Sequence, residues 1–230
     1  MKKLFISEDI PKSTEELLTK EGFFAVRLKK EKDLPLPVSS HADMLIFSDA
    51  KKLITTKKYF DSNKTVFDTS NVLTVNAEFG NIYPKDVIFN AFTVNGTLFG
   101  KTDSLCEELT SLYDKKIHLS QGYAKCSVLI FGSNAIMADK GIYKALDDFG
   151  IRCLLTEPGH ILLPGYSYGF IGGASFSYDD KVFFFGDITS HPDSERILGF
   201  IKEAGYTVLF DKSIPLTDFG GAVIDKSLSL

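Results

Sequence analysis

The stretch Cys126-Ser127-Val128-Leu129-Ile130-Phe131 turns at Gly132-Ser133-Asn134 into Ala135-Ile136-Met137-Ala138. It continues from Asp139 through an amphipathic run to Phe149-Gly150 and ends in Ile151-Arg152-Cys153-Leu154-Leu155. Read in order, this is a strand, a hairpin, a second strand, a helix and a third strand. Glycine stops the helix because it takes the left-handed C′ conformation without a Cβ clash.

The same order recurs along the chain. Glu21-Gly22 and Ala204-Gly205 are two more helix exits, each followed by a short apolar strand. Helix starts are marked by Ser13, three residues before Glu16 in a capping-box spacing, by Thr102-Asp103-Ser104, by Asp139 and by Asp193-Ser194. Upstream hairpins turn at Asn95-Gly96, the strongest short hairpin signal, at Asp179-Asp180 and at Ser48-Asp49. Four units are thus present in full or nearly so, the second being weakest because residues 57–63 are too short for a full helix. A fifth forms if the ends are joined, the tail Asp218-Phe219-Gly220-Gly221-Ala222-Val223-Ile224 supplying its first strand and the head Lys3-Leu4-Phe5-Ile6 its second.

Aligned on the hairpins, Asp43, Asn90, Ser127, Ala174 and Gly220 are equivalent, with spacings of 47, 37, 47 and 46 in a chain of 230 residues. The expectation is a single α/β domain, a five-fold pseudosymmetric propeller of ββαβ repeats closed by pairing of the terminal strands. The repeats span residues 1–38 with 214–230, 39–83, 84–121, 122–164 and 165–213. Such closure ties down both termini and leaves only short, protected sheet edges.

Composition narrows the function classes. Lys and Arg total 26 against 30 for Asp and Glu, a net charge of −4, which gives no support for nucleic acid as a partner. No apolar run approaches the ~18 residues needed to cross a bilayer, and the N-terminus turns acidic too early for a signal peptide. Three cysteines, Cys106, Cys126 and Cys153, form no CxxC pair and suggest neither a disulfide framework nor structural zinc. The chain reads as a reduced, cytoplasmic protein with no membrane partner and no cofactor. Its expected partner is a small-molecule ligand, and the oligomeric state is left open.

Five such units around an axis, one shared between the termini, resemble the pentein fold. The stretches Gly122-Tyr123-Ala124-Lys125-Cys126-Ser127 and Tyr168-Gly169-Phe170-Ile171-Gly172-Gly173-Ala174-Ser175 resemble those of an uncharacterised bacterial branch of that superfamily. The resemblance implies guanidine-modifying chemistry of the deiminase and amidinotransferase type, or the non-catalytic binding also found in the superfamily. Such enzymes use a Cys nucleophile, a His acid/base and carboxylates that match the guanidinium fork. They place the Cys after a glycine-rich stretch in the final unit. Here that stretch reads Gly220-Gly221-Ala222-Val223-Ile224-Asp225, without Cys.

In a ring, the starts of the first strands converge on the axis. This makes His41 and Asp43, Asp86 and Asn90, Lys125 and Cys126, and Asp218 the candidate site. Cys126 is the candidate nucleophile, with Lys125 beside it to lower its pKa, and His41 the candidate proton carrier. Asp43, Asp86, Asn90, Lys125 and Asp218 are candidate substrate-binding groups. The expected activity is hydrolysis or transfer at C–N bonds of a small guanidino or amide metabolite in a central pocket. The alternative is a non-catalytic pentein that binds a ligand or a macromolecule.

A further alternative is a metallo-β-lactamase-like hydrolase. Thr156-Glu157-Pro158-Gly159-His160 followed by Val182 to Asp187 resembles part of that pattern, with His41, Asp43, His191 and Asp193 as further ligands. The dense HxHxDH run of that family is missing, and Asp187 is equally explained as a turn cap. Gly169-Phe170-Ile171-Gly172-Gly173 leads into a strand rather than a helix, which argues against a phosphate loop and for close backbone approach at the ring centre. The loop from His160 to Gly169, with Pro164, Tyr166 and Tyr168, is the candidate lid or pocket wall.

Overall fold

The computed structural model describes residues 1–49, 52–67 and 72–225. The chain opens with β1 (Lys2–Ser7), α1 (Lys12–Lys20) and β2 (Phe23–Leu28), followed by a short helix α2 (Ala42–Leu45). The second unit is β3 (Phe47–Ser48), β4 (Leu53–Thr56), α3 (Lys57–Ser62) and β5 (Val72–Val75). The third is β6 (Phe92–Val94), β7 (Thr97–Gly100), α4 (Glu107–Thr110) and β8 (Lys116–His118). The fourth is β9 (Val128–Phe131), β10 (Asn134–Met137), α5 (Lys140–Asp148) and β11 (Arg152–Leu155). The fifth is β12 (Ser175–Tyr178), β13 (Lys181–Phe184), α6 (Ser194–Glu203) and β14 (Thr207–Phe210), before the last strand β15 (Val223–Ile224).

These strands form five three-stranded sheets of one design, with orders β15-β1-β2, β3-β4-β5, β6-β7-β8, β9-β10-β11 and β12-β13-β14. In each, the inner strand pairs antiparallel with the middle one, and the outer strand returns parallel to it. The ends join as expected: Leu4 pairs with Ile224 and Phe5 with Val223, antiparallel. The architecture is the pentein-like α/β propeller.

Local chemistry explains the elements. Asn95 and Gly96 both take positive φ (49° and 75°), as the two-residue turn between β6 and β7 requires. Asp139 Oδ1 accepts from Ile142 N at 2.8 Å and starts α5, which buries Ile142 and Leu146 one turn apart on its core face. Phenylalanines pack between sheets, with Phe23 edge-on to Phe176 and Phe183 where the first and fifth units meet. Edge-to-face pairs of this kind add roughly 1 kcal/mol each beyond the area they bury.

Three expectations are corrected. Ser13 does not cap α1, whose N-cap is Pro11; its hydroxyl instead donates to Asp211 Oδ2 at 2.6 Å, tying the first unit to the fifth. Residues 102–104 do not cap α4, whose N-cap is Cys106. Residues 43–45 belong to α2 rather than to a strand, so the second inner strand begins at Phe47. The tip of the second hairpin, residues 50–51, lies outside the described residues. Among the described residues no helix is long and apolar enough to cross a membrane.

Candidate functional site

The segments just before β3, β9 and β12 turn at the ring's hub. Ile46 N bonds to Ala42 O, Ser127 N to Tyr123 O and Ala174 N to Phe170 O, each closing an α-type turn. The hub is therefore lined by tight turns, not by strand starts. Asp43 N donates to Gly220 O, and Gly173 N donates to Cys126 O, so the turns of different units are stitched directly to one another.

Asn90 is the central tie. Its Oδ1 accepts from Lys125 N (2.7 Å) and Cys126 N (3.2 Å). Its Nδ2 lies within donating distance of Cys126 Sγ (2.9 Å), Asp43 O (3.2 Å) and Met44 Sδ (3.3 Å). Asp218 sits in a backbone cradle, accepting from Phe170 N and Gly220 N at 2.9 Å each. The glycine-rich run makes room for it, since a Cβ on Gly173 would fall 2.0 Å from Asp218 Oδ1. His41 Nδ1 lies 3.7 Å from the same oxygen.

His41 and Asp218 border a cavity of about 230 Å³ whose lining also includes Cys126, Tyr123, Tyr166 and Phe170, whereas Asp43 lines a neighbouring cavity. Tyr166 belongs to the loop expected as lid or wall, and that loop does form one side. Tyr123 and Phe170 were not singled out by chemistry, although both lie in the stretches that carried the family resemblance. Their rings stack with centroids 6.2 Å apart. The Tyr123 hydroxyl donates to Asp86 Oδ2, which places Asp86 behind the wall.

The electrostatics are one-sided. Asp43, Asp86, Asp218 and Cys126 are all buried. Both Asp43 oxygens and Asp86 Oδ1 are buried with no donor in hydrogen-bonding geometry. Burial pushes the Cys126 thiol well above its ordinary range, and the Asp43 and Asp218 carboxylates push it further. Burial also raises the Asp218 carboxyl to about 6, reinforced by Asp43 and opposed by His41 and the two amides.

Two expectations about the nucleophile are corrected here. Lys125 does not flank the thiol: it lines a second cavity, of about 350 Å³, which also borders the inner strands at Ser48, Phe92, Leu129, Phe176 and Val223. Successive residues of a tight turn splay apart, so the two neighbours face different cavities. The free protein also holds Cys126 as a thiol, not a thiolate. Iodoacetamide at neutral pH is therefore expected to modify half-buried Cys153 first and Cys126 last. Faster modification of Cys126 would restore it as an activated nucleophile.

The metal alternative is not assembled. Asp187 caps the turn after β13 by accepting from Thr189 N. His191 Nδ1 accepts from Asp193 N, while His41 and Asp43 lie at the hub. Among the described residues no group of three or more His, Cys, Asp or Glu side chains is placed to hold a metal ion.

A family profile described as "Family of unknown function (DUF6873)" matches residues 5–223. No curated protein sequence matches the chain. Among solved structures, it is similar to dimethylarginine dimethylaminohydrolase from Pseudomonas aeruginosa in complex with citrulline, with TM-score 0.60 and 10% identity over 97% of this chain and 99% of that one. It is also similar to the N-terminal domain of ArgZ, a cyanobacterial arginine dihydrolase, with TM-score 0.56 and 13% identity over 96% and 95% of the two chains. A third is the amidinotransferase SxtG from Microseira wollei, with TM-score 0.53 and 11% identity over 96% and 89%. At these identities the likeness is one of fold.

Proposed function

The chain belongs to the family described as of unknown function, DUF6873, built on the pentein ring, and on that footing we propose that its central cavity binds a small guanidinium cation. One observation carries this reading. Asp218 lines the cavity with no Lys or Arg among the lining residues, and the buried Asp43, both of whose oxygens lack a hydrogen-bond partner, lies close enough to Asp218 and Cys126 to hold their protons. An unpaired buried carboxylate is costly, and a planar cation with several N–H donors satisfies it best. Stacked Tyr123 and Phe170 offer the flat faces such a cation prefers. The similar structures are named for enzymes that act on guanidino compounds, which agrees with this choice.

Calorimetric titration with methylguanidinium tests the reading. Asp218→Asn is expected to weaken binding roughly 10–100-fold, the worth of a charge-assisted hydrogen bond, and Asp43→Asn, which removes a buried charge beside Asp218 rather than a direct contact, to weaken it less. Unchanged affinity in both would refute the site.

The pH dependence has a definite sign. The cation needs Asp218 ionised, and its carboxyl is raised to about 6 in the free protein. Affinity is therefore expected to climb by about tenfold between pH 5 and pH 7, each pKa unit being worth ~1.4 kcal/mol. In the free protein the same ionisation costs stability as pH rises from the unfolded value near ~4 through 6, because the folded state holds the proton more tightly. A flat affinity profile over that range would remove Asp218 from the binding site.

A turnover reading rests on a separate observation: Cys126 and His41 both line this cavity. A bound cation offsets the two carboxylates that hold the thiol protonated, so ligand entry would lower the Cys126 pKa. The thiolate would then attack the guanidinium carbon, His41 would carry a proton to the amine as the C–N bond breaks and ammonia leaves, and water would attack the same carbon to break the C–S bond and release the ureido product. Ammonia release from guanidino compounds, abolished in Cys126→Ala, would establish turnover. Binding without release leaves a non-catalytic pentein.

A further inference from the structure

The guanidinium reading leaves the second cavity, of about 350 Å³, unused. The hub divides neighbouring residues between the two chambers: Cys126 and Asp218 line the first, Lys125 and Gly220 the second. The wall of the second is a girdle. Each of the five inner strands contributes one half-buried residue to it, Ser48, Thr93, Ile130, Ser177 and Ile224, and the residue before each of these is buried. Successive strand residues point to opposite faces, so each unit packs one residue into its core and offers the next to the cavity. Three of the five carry hydroxyls and two are isoleucines. A chamber of this size, part apolar with a few polar groups, has the form of a small-ligand site.

Its charges indicate the ligand. Asp49 also lines the cavity, but its Oδ2 accepts from the Tyr113 hydroxyl at 2.7 Å. Asp43 and Lys125 belong to the hub turns. Asp43 is 3% exposed, and both of its oxygens are buried without a hydrogen-bond partner. Lys125 is half-buried, and among the described residues its ammonium is in no ion pair. The two thus share a chamber without pairing. An unpartnered buried carboxylate is costly, so the cavity calls for a positive group at Asp43. A simple cation would sit beside the Lys125 ammonium and be repelled by it. A simple anion would suit Lys125 and be repelled by Asp43. A ligand with both charges suits both. We infer that the second cavity binds a small zwitterion, with its ammonium on Asp43, its carboxylate on Lys125 and its carbon chain against Ile130 and Ile224. This goes beyond the guanidinium reading and does not need it, because the carboxylate of that reading, Asp218, lines the other cavity.

Calorimetry on the full chain tests this with L-valine and γ-aminobutyrate, which differ in the separation of their charges, and with isobutylamine and isovalerate, which each lack one charge of valine. At least one zwitterion is expected to bind roughly tenfold or more tightly than either singly charged analogue, the worth of one charge-assisted hydrogen bond. Lys125→Met removes an unpaired side chain and should weaken that zwitterion by a similar factor while leaving isobutylamine no weaker. Thr93→Phe should narrow the girdle and block the zwitterion, and Asp218→Asn should leave its affinity unchanged. Binding of neither zwitterion would overturn the inference. So would isobutylamine binding as tightly as the better zwitterion, or Lys125→Met leaving the affinity intact. Loss of the zwitterion in Asp218→Asn with retention in Thr93→Phe would place it in the first cavity and overturn the second site, whatever methylguanidinium does.

Discussion

Replacing Gly220 with alanine is expected to lower the melting temperature by about 8–16 °C, taking about 4 kcal/mol and 2–4 °C per kcal/mol for a chain of this size. Two costs add. Gly220 has φ +78°, where an L side chain is strained by roughly 1–2 kcal/mol. Its new Cβ would also lie 2.2 Å from His41 Cβ and 2.6 Å from His41 Cα. The second contact is with backbone, so no rotamer change relieves it. The hub must open, at an overpacking cost of roughly 1–3 kcal/mol. Gly205→Ala is the control. It has nearly the same φ, +84°, but nothing within 4 Å of its Cβ, so it should lose only the strain. Equal losses in the two variants would show that the close approach of the tail to His41 contributes nothing. Gly220→Ala should also displace Asp218, whose Oδ1 accepts from Gly220 N, and so weaken methylguanidinium binding.

That close approach explains what the sequence discloses and what it hides. Hairpins and helix exits depend on a few local residues, such as Asn95-Gly96 or Gly150, so the five units are legible in the primary structure. Ring closure was legible because Val223 and Ile224 complete an otherwise truncated unit, and they do pair with Phe5 and Leu4. Once the ring is granted, the placement of Asp43, Asn90, Cys126 and Asp218 at one hub follows because each lies at, or within two residues of, the equivalent positions Asp43, Asn90, Ser127 and Gly220. The side each one faces does not. Lys125 and Cys126 part because their segment is a helical turn, a conformation selected by contacts with Asn90 and Gly173 that lie far away in sequence. Likewise Ser13 has a capping-box spacing, but a buried Asp211 from another unit claims its hydroxyl. Tyr123 and Phe170 became visible as cavity walls only when the loops before them folded, since aromatic residues carry no periodic signal in a loop.

Asn90→Ala is expected to be the most damaging single change that leaves backbone geometry unstrained. The side chain is wholly buried, and its truncation strands the Lys125 and Cys126 amides while removing a donor from the Asp43 carbonyl. Each buried group left unpaired costs roughly 1–3 kcal/mol, for a total of roughly 3–9 kcal/mol over the three. Such a loss could take most of the margin of a domain whose whole stability is roughly 5–15 kcal/mol. Asn90→Asp separates the acceptor from the donor. It keeps an oxygen for the two amides and offers a donor to Asp43 O or Cys126 Sγ only while protonated, and it adds an ionisable group to a hub that already holds Asp43 and Asp218. That extra group should be held protonated in the folded state. Its penalty should therefore shrink as pH falls and grow as pH rises past the ordinary carboxylate range near ~4. Urea unfolding of both variants between pH 4.5 and pH 8 measures this. Asn90→Ala should lose a nearly constant amount across that range relative to the parent protein, and Asn90→Asp an amount that increases with pH. If Asn90→Asp shows no such dependence, Asn90 is not held against the hub carboxylates, and the charge argument for a cationic ligand falls with it.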